Sequence, residues 1–133
     1  MIDTNILISA ALSSNGTPYA AYVKAVSYPN QGIVCEQNIE ELRRIFNRKF
    51  PNRLELLNQF LSIALVTLTV VHTPTEENDD EKLIRDVADR PILRAAKNAQ
   101  ADILITGDKD FLESGIKDPC ILTAAEFVGR FSE

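Results

Sequence analysis

The chain has 133 residues, a formal charge of −5, 45% hydrophobic and 25% charged residues, which is enough for one hydrophobic core and ordinary for a soluble globular protein. No apolar run approaches the ~20 residues of a membrane span and no basic leader precedes one, so neither a spanning helix nor a secretory signal is expected. Cys35 and Cys120 lack metal-type spacing and read as two buried thiols in a reducing, cytoplasmic compartment, which excludes a disulfide scaffold.

Along the chain, Met1–Asp3 reads as the end of a short strand, with a helix starting directly after Thr4-Asn5. Residues 13–18 form a loop, and Tyr19–Ser27 is an alanine-rich helix. Gly32–Cys35 is a short buried strand. Gln37–Phe50 carries Ile39, Leu42, Ile45, Phe46 and Phe50 at helical spacing, which predicts an amphipathic helix stopped by Pro51. Arg53–Leu65 puts Leu54, Leu57, Leu61 and Leu65 on one side and Leu56, Phe60 and Ile63 on another, predicting a helix buried on two faces. Val66–Val71 is β-branched and strand-like. The acidic stretch 73–86 is expected to be a mobile or solvent-facing loop. A helix follows at Pro91–Ala99, with proline in the first turn where its missing N–H would be unpaired anyway. Ile103–Ile105 is a strand, a short helix opens at Asp108, Ile121-Leu122 is a last strand and Ala124–Phe131 a last helix. This alternation predicts an α/β fold: a three-layer sandwich with a central, mostly parallel sheet of about five short strands flanked by helices, in one domain over 1–133.

Four acids fall at or one turn beyond the junctions of these elements: Asp3, Glu41, Asp89 and Asp108. Taken singly, each aspartate is better explained as a helix cap, and Glu41 as a solvated residue. Taken together they point elsewhere, because carboxyl ends of parallel strands converge on one crevice. Two unit charges about 4 Å apart repel by roughly 4 kcal/mol at an effective dielectric near 20, so such a cluster needs a cation. Carboxylate oxygens suit a hard divalent ion, Mg²⁺ or Mn²⁺, and that ion in turn suits phosphodiester hydrolysis.

Other chemistries fit less well. His72 is the lone histidine and lies far from either cysteine, and no glycine-rich phosphate loop is present. A phosphoacceptor domain would want a second aspartate two residues after Asp3, where Asn5 stands. The net negative charge argues against a nucleic-acid partner until the run Glu76–Glu81, five acids in six residues, is set aside; bases and acids are then at parity. Arg43, Arg44, Arg48, Lys49 and Arg53 cluster on and just beyond one helix. They read equally as a strip for RNA phosphates or as a solvated face.

With these residues in view, the chain resembles the PIN-domain nucleases, in particular the bacterial and archaeal toxin components of toxin–antitoxin pairs. Asp3-Thr4-Asn5-Ile6-Leu7-Ile8-Ser9 resembles the opening motif, and Glu40-Glu41-Leu42 with its basic continuation the second. Asp86-Val87-Ala88-Asp89-Arg90-Pro91-Ile92-Leu93 resembles the third, and Ile105-Thr106-Gly107-Asp108-Lys109-Asp110 the fourth. The resemblance implies that Asp3, Glu41, Asp89 and Asp108 bind the metal and are catalytic. It implies Asp86 and Asp110 as accessory acids, and Thr4, Asn5 and Thr106 as polar support. The implied activity is Mg²⁺- or Mn²⁺-dependent RNA cleavage, restrained by a small antitoxin. A homodimer is expected from the second apolar side of the 53–65 helix. Two departures stand out: Met1 and Ile2 alone precede Asp3, so either the first strand is abbreviated or the true start lies upstream, and Ala88 stands where a further acid often adjoins Asp89. A catalytically weakened domain that keeps the fold and binds RNA or protein is the second reading of the chain.

Overall fold

The computed structural model describes residues 1–130. Its centre is made by the first three residues. Ile2, fully buried, donates its N–H to the Ile33 carbonyl at 2.9 Å. Asp3 N–H bonds to Ile105 O, and Ile105 N–H to Met1 O, both at 2.9 Å. The segment therefore lies between two strands, β1 (Ile33–Cys35) and β3 (Ile103–Ile105). β1 pairs in parallel with β2 (Thr69–Val71), Ile33 opposite Thr69; β3 pairs in parallel with β4 (Cys120–Leu122), Ile103 opposite Cys120.

The sheet departs from expectation. Regular pairing is confined to two two-stranded pieces, and Ile2 opposite Ile105 is a single parallel bridge, not a strand of a continuous five-stranded sheet. Length explains this: each strand has three residues, and helix α1 (Thr4–Leu12) takes the backbone out of the ladder immediately after Asp3. The β-branched run at 66–71 is strand only in its second half, Thr69–Val71. Helix α4 (Leu54–Thr67) continues through Val66 and Thr67, because propensity is a weak prior once a helix is packed.

Side chains alternate along the strands and so divide between two apolar clusters. Ile2, Val34, Ile105 and Leu122 meet α1, α2 (Thr17–Val26), α3 (Glu36–Lys49), α4 and α7 (Ala124–Arg130). Met1, Cys35, Leu104 and Ile121 meet α5 (Arg90–Asn98) and α6 (Lys109–Leu112). The expected last helix included Phe131, which lies outside the described residues. Among the described residues, no helix is long and apolar enough to cross a membrane.

Three further expectations are corrected. Helix α4 is buried on one face only, by Leu57, Leu61 and Ala64, while Ile63 and Val66 are 63% and 82% exposed. The acidic stretch is not simply solvent-facing: Asp79–Leu83 forms a 3-10 turn, Glu81 and Ile84 are buried, and Arg94 grips Glu81 through two bonds of 2.8 and 3.0 Å. Both cysteines are free, but Cys120, unlike Cys35, is only half-buried.

The one-sided burial of α4 has a direct consequence. Phe46→Ala, at a fully buried position of α3, should cost about 3–5 kcal/mol, whereas Val66→Ser should change stability by no more than about 0.5 kcal/mol. Urea denaturation of both variants checks this. A large loss from Val66→Ser would mean that α4 is covered on both sides.

Candidate functional site

The site is assembled where three segments turn directly into helices. Asp3 ends the bridging segment and caps α1, its Oδ1 accepting the Thr4 N–H at 2.8 Å. Its Oδ2 accepts the Thr106 hydroxyl at 2.8 Å and the Asn5 amide at 3.1 Å. Thr106, just past β3, also accepts the Asp108 N–H at 3.0 Å, and Asn5 Oδ1 accepts the Gly107 N–H at 3.0 Å. The starts of α1 and α6 are thereby tied to each other through the polar residues Thr106 and Asn5. Asp108 caps α6, Oδ1 accepting the Asp110 N–H at 2.9 Å.

Asp89 differs from the other two aspartates. It ends a 3-10 turn, Val87–Asp89, makes no capping bond to α5, and its buried Oδ2 has no hydrogen-bond partner among the described residues. Burial, then the adjacent Asp108, then the charges of Asp3 and Asp86, push its carboxyl up to about 8. Asp3 is pushed up to about 6, chiefly by burial; the bonds from Thr106 and Thr4 oppose the shift, while Glu41 and Asp108 add to it.

Asp3, Glu41, Asp89 and Asp108 line one pocket of about 200 Å³, together with Thr4, Asn5, Ile8 and Ile45. Glu41 lies in α3 and is partly exposed, with Arg44 Nη2 at 4.0 Å. Larger clefts lie elsewhere; in the one of about 370 Å³, Glu76 and Glu77 are matched by Arg94 and Lys97. Asp86 and Asp110 do not line the quartet's pocket. They form a second group with Asp89, with one carboxylate oxygen from each lying within 4.8 Å of the others. The residues present fit a hard divalent cation: the charged ligands are all carboxylates, two of them are raised in pKa by burial and by their acidic neighbours, and one buried oxygen has no hydrogen-bond partner among the described residues.

Arg43, Arg44, Arg48 and Lys49 are all exposed on α3. Arg44 and Arg48 are one turn apart on the helix that also carries Glu41. One residue escaped the sequence reading. Asn38, fully buried, donates to Thr4 Oγ1 at 3.0 Å and accepts the Cys35 N–H at 3.0 Å and the Cys35 thiol at 3.2 Å. It joins the end of β1 to the start of α1. Its signal was its spacing, since a polar residue shares the buried stripe of Leu42 and Phe46.

Comparison with known proteins gives the family. The sequence profile of the PIN domain matches residues 1–110, a span containing all four pocket acids as well as Asp86 and Asp110. The uncharacterized protein MJ1680 of Methanocaldococcus jannaschii is 29% identical over 117 residues, covering 84% of this chain and 72% of that protein. No solved structure matches the chain significantly.

The two raised carboxyls give a pH dependence of definite sign. Between the unfolded value of 3.8 and about 8, the folded protein holds more protons on Asp89 than the unfolded chain does, so metal-free stability falls as pH rises through that window. Added Mn²⁺ should reduce the fall, because it binds ionised carboxylates of the folded state only. Thermal melts in EDTA should also show a shallower decline for Asp89→Asn. Superimposable pH profiles for the variant and the wild type would mean that Asp89 is not crowded.

Proposed function

This chain belongs to the PIN-domain family, and from that membership we propose that it is an Mg²⁺- or Mn²⁺-dependent endoribonuclease, the toxin half of a pair whose small antitoxin restrains it. The observation that carries this is the convergence of Asp3, Glu41, Asp89 and Asp108 on one pocket, with a buried Asp89 oxygen that has no hydrogen-bond partner among the described residues. Asp89, Asp108 and Asp3 would hold the ion, with Glu41 at the rim. When bound, a divalent ion supplies positive charge to phosphoryl oxygens and lowers the pKa of water.

The chain's own residues do the rest. Asp3 cannot swing, because three donors hold its two oxygens. Asp108 caps α6 through Oδ1 alone, so capping does not engage its second oxygen. Ile8 and Ile45 wall the pocket with apolar surface, which strengthens electrostatic interactions inside it. Burial and the adjacent Asp108 raise Asp89, so its carboxyl holds a proton more readily than a free aspartate, and a bound cation would oppose that shift. Arg44 and Arg48 would neutralise backbone phosphates leading into the pocket, with Arg43 and Lys49 alongside.

The partner half of the proposal rests on surfaces. The exposed Ile63 and Val66 of α4 offer an apolar face to a second copy of the chain or to the antitoxin. An arginine from the antitoxin would pair with Asp89 or Asp108 in competition with metal. We further take the two ladders and the Ile2 bridge as one interrupted sheet of a three-layer domain spanning 1–133, acting in the cytoplasm.

Asp108→Asn and Asp89→Asn should each abolish metal-dependent cleavage of single-stranded RNA while leaving a cooperative melt, since asparagine keeps the size and, at 108, the capping acceptor. The exposed Asp118, changed to asparagine, should leave the rate unaltered. Wild-type rates in both site variants would remove the quartet from the chemistry.

Arg44→Gln combined with Arg48→Gln should weaken RNA binding and flatten its dependence on salt by about 0.7 in slope for each phosphate that is no longer neutralised. An unchanged slope would assign the strip to solvent or to a partner.

A further inference from the structure

Arg85 takes no part in the chemistry above, yet it stands at the edge of the acidic crevice. Its Nε donates to Asp110 Oδ1 at 3.0 Å, its Nη2 lies 2.9 Å from the same oxygen, and Glu113 Oε2 is 3.4 Å away. Asp110 is in turn grouped with Asp86 and Asp89, oxygen to oxygen within 4.8 Å. The crevice thus holds an inner set, Asp3, Glu41, Asp89 and Asp108, and an outer set, Asp86, Asp89 and Asp110, sharing Asp89. At the inner set the one cation given by the ion pairs is Arg44, 4.0 Å from Glu41, and Asp89 Oδ2 has no donor among the described residues. The outer set already has a guanidinium in hydrogen-bonding contact.

The position of Arg85 is fixed by its neighbours. Ile84 is fully buried, its N–H bonded to Glu81 O and its carbonyl to Arg90 Nε, both at 3.0 Å. Glu81 is itself gripped by Arg94, with side chains only 4% and 13% exposed. On the other side, Asp86 Oδ1 accepts the Ala88 N–H and Asp86 O the Asp89 N–H, both at 3.0 Å. Arg85 therefore springs from a backbone anchored immediately before and after it.

We propose that Arg85 is a built-in counter-ion: it occupies the outer acids through Asp110 and limits the crevice to a single divalent ion. Arg85 thus sets the metal stoichiometry of the chain. The role rests on the inner set being a metal centre, as proposed above. Its physics is competition. The guanidinium takes lone pairs that a second ion would need, and its charge repels that ion. The Arg85 side chain is largely exposed and Asp110 half-buried, so release of the pair is worth roughly five-fold in affinity, and removal of the like charge adds to that.

Mn²⁺ titrations followed by calorimetry and by electron paramagnetic resonance count the ions directly. Wild type should bind one Mn²⁺ per chain. Arg85→Gln should bind a second, roughly five-fold tighter than any weak second binding to wild type. Adding Asp110→Asn to that variant should abolish the gain, with melts confirming that all three proteins fold. Equal stoichiometry and affinity in wild type and Arg85→Gln would overturn the role of Arg85 while leaving the inner centre standing, as would two tight ions in wild type or a gain that survives Asp110→Asn. Absence of binding to wild type and variant alike would overturn both.

Discussion

Crowding of negative charge that the backbone cannot relieve is the constraint on which this structure turns. Asp3 and Asp108 lie where Met1–Asp3 and β3 pass into helices, and Asp89 lies at the entry to α5. None of these backbones has slack at that point. Asp3 is held by Ile105 through its main chain and by Thr4, Asn5 and Thr106 through its side chain. Side chains so placed can neither reach water nor move apart, so burial first, and the neighbouring negative charges after it, raise the carboxyl pKa values of Asp3 and Asp89. The arrangement is costly without a cation, and a protein that retains it gives up stability for a site.

The polar residues around the acids hold this geometry by linking elements that are remote in sequence. Thr106 joins Asp3 to the start of α6, Asn5 joins α1 to Gly107, and Asn38 joins β1 to Thr4. Capping and site membership therefore coincide at Asp3 and Asp108: each satisfies a helix N–H with one oxygen and lines the pocket as well. The Glu81–Arg94 pair serves a similar end at a distance, since it anchors the turn from which Arg85 and Asp86 emerge.

Much of this was legible in the sequence because it follows from local rules. Apolar runs marked the short strands, and Asp3 and Asp108 follow two segments that meet in parallel, Ile2 opposite Ile105, whereas Asp89 follows a 3-10 turn and not a strand. The illegible parts depend on tertiary context. Val66 and Thr67 look like strand and are helix, because α4 packs through Leu57, Leu61 and Ala64 up to that point. The acidic run 76–81 looks uniformly solvated, yet Glu81 is buried because Arg94, thirteen residues later, faces it. Asn38 could have been found from the apolar stripe it interrupts, whereas the contact of Arg85 with Asp110 spans 25 residues and leaves no periodic trace.

The most direct test of the central claim is the position of a metal. Crystals soaked in Mn²⁺ and measured at the manganese absorption edge would show it in an anomalous difference map. The predicted result is a peak bounded by the carboxylates of Asp3, Asp89 and Asp108, beside the unpartnered Asp89 oxygen. A map with no peak there, or with manganese bound instead along the exposed acids of 76–80, would contradict it.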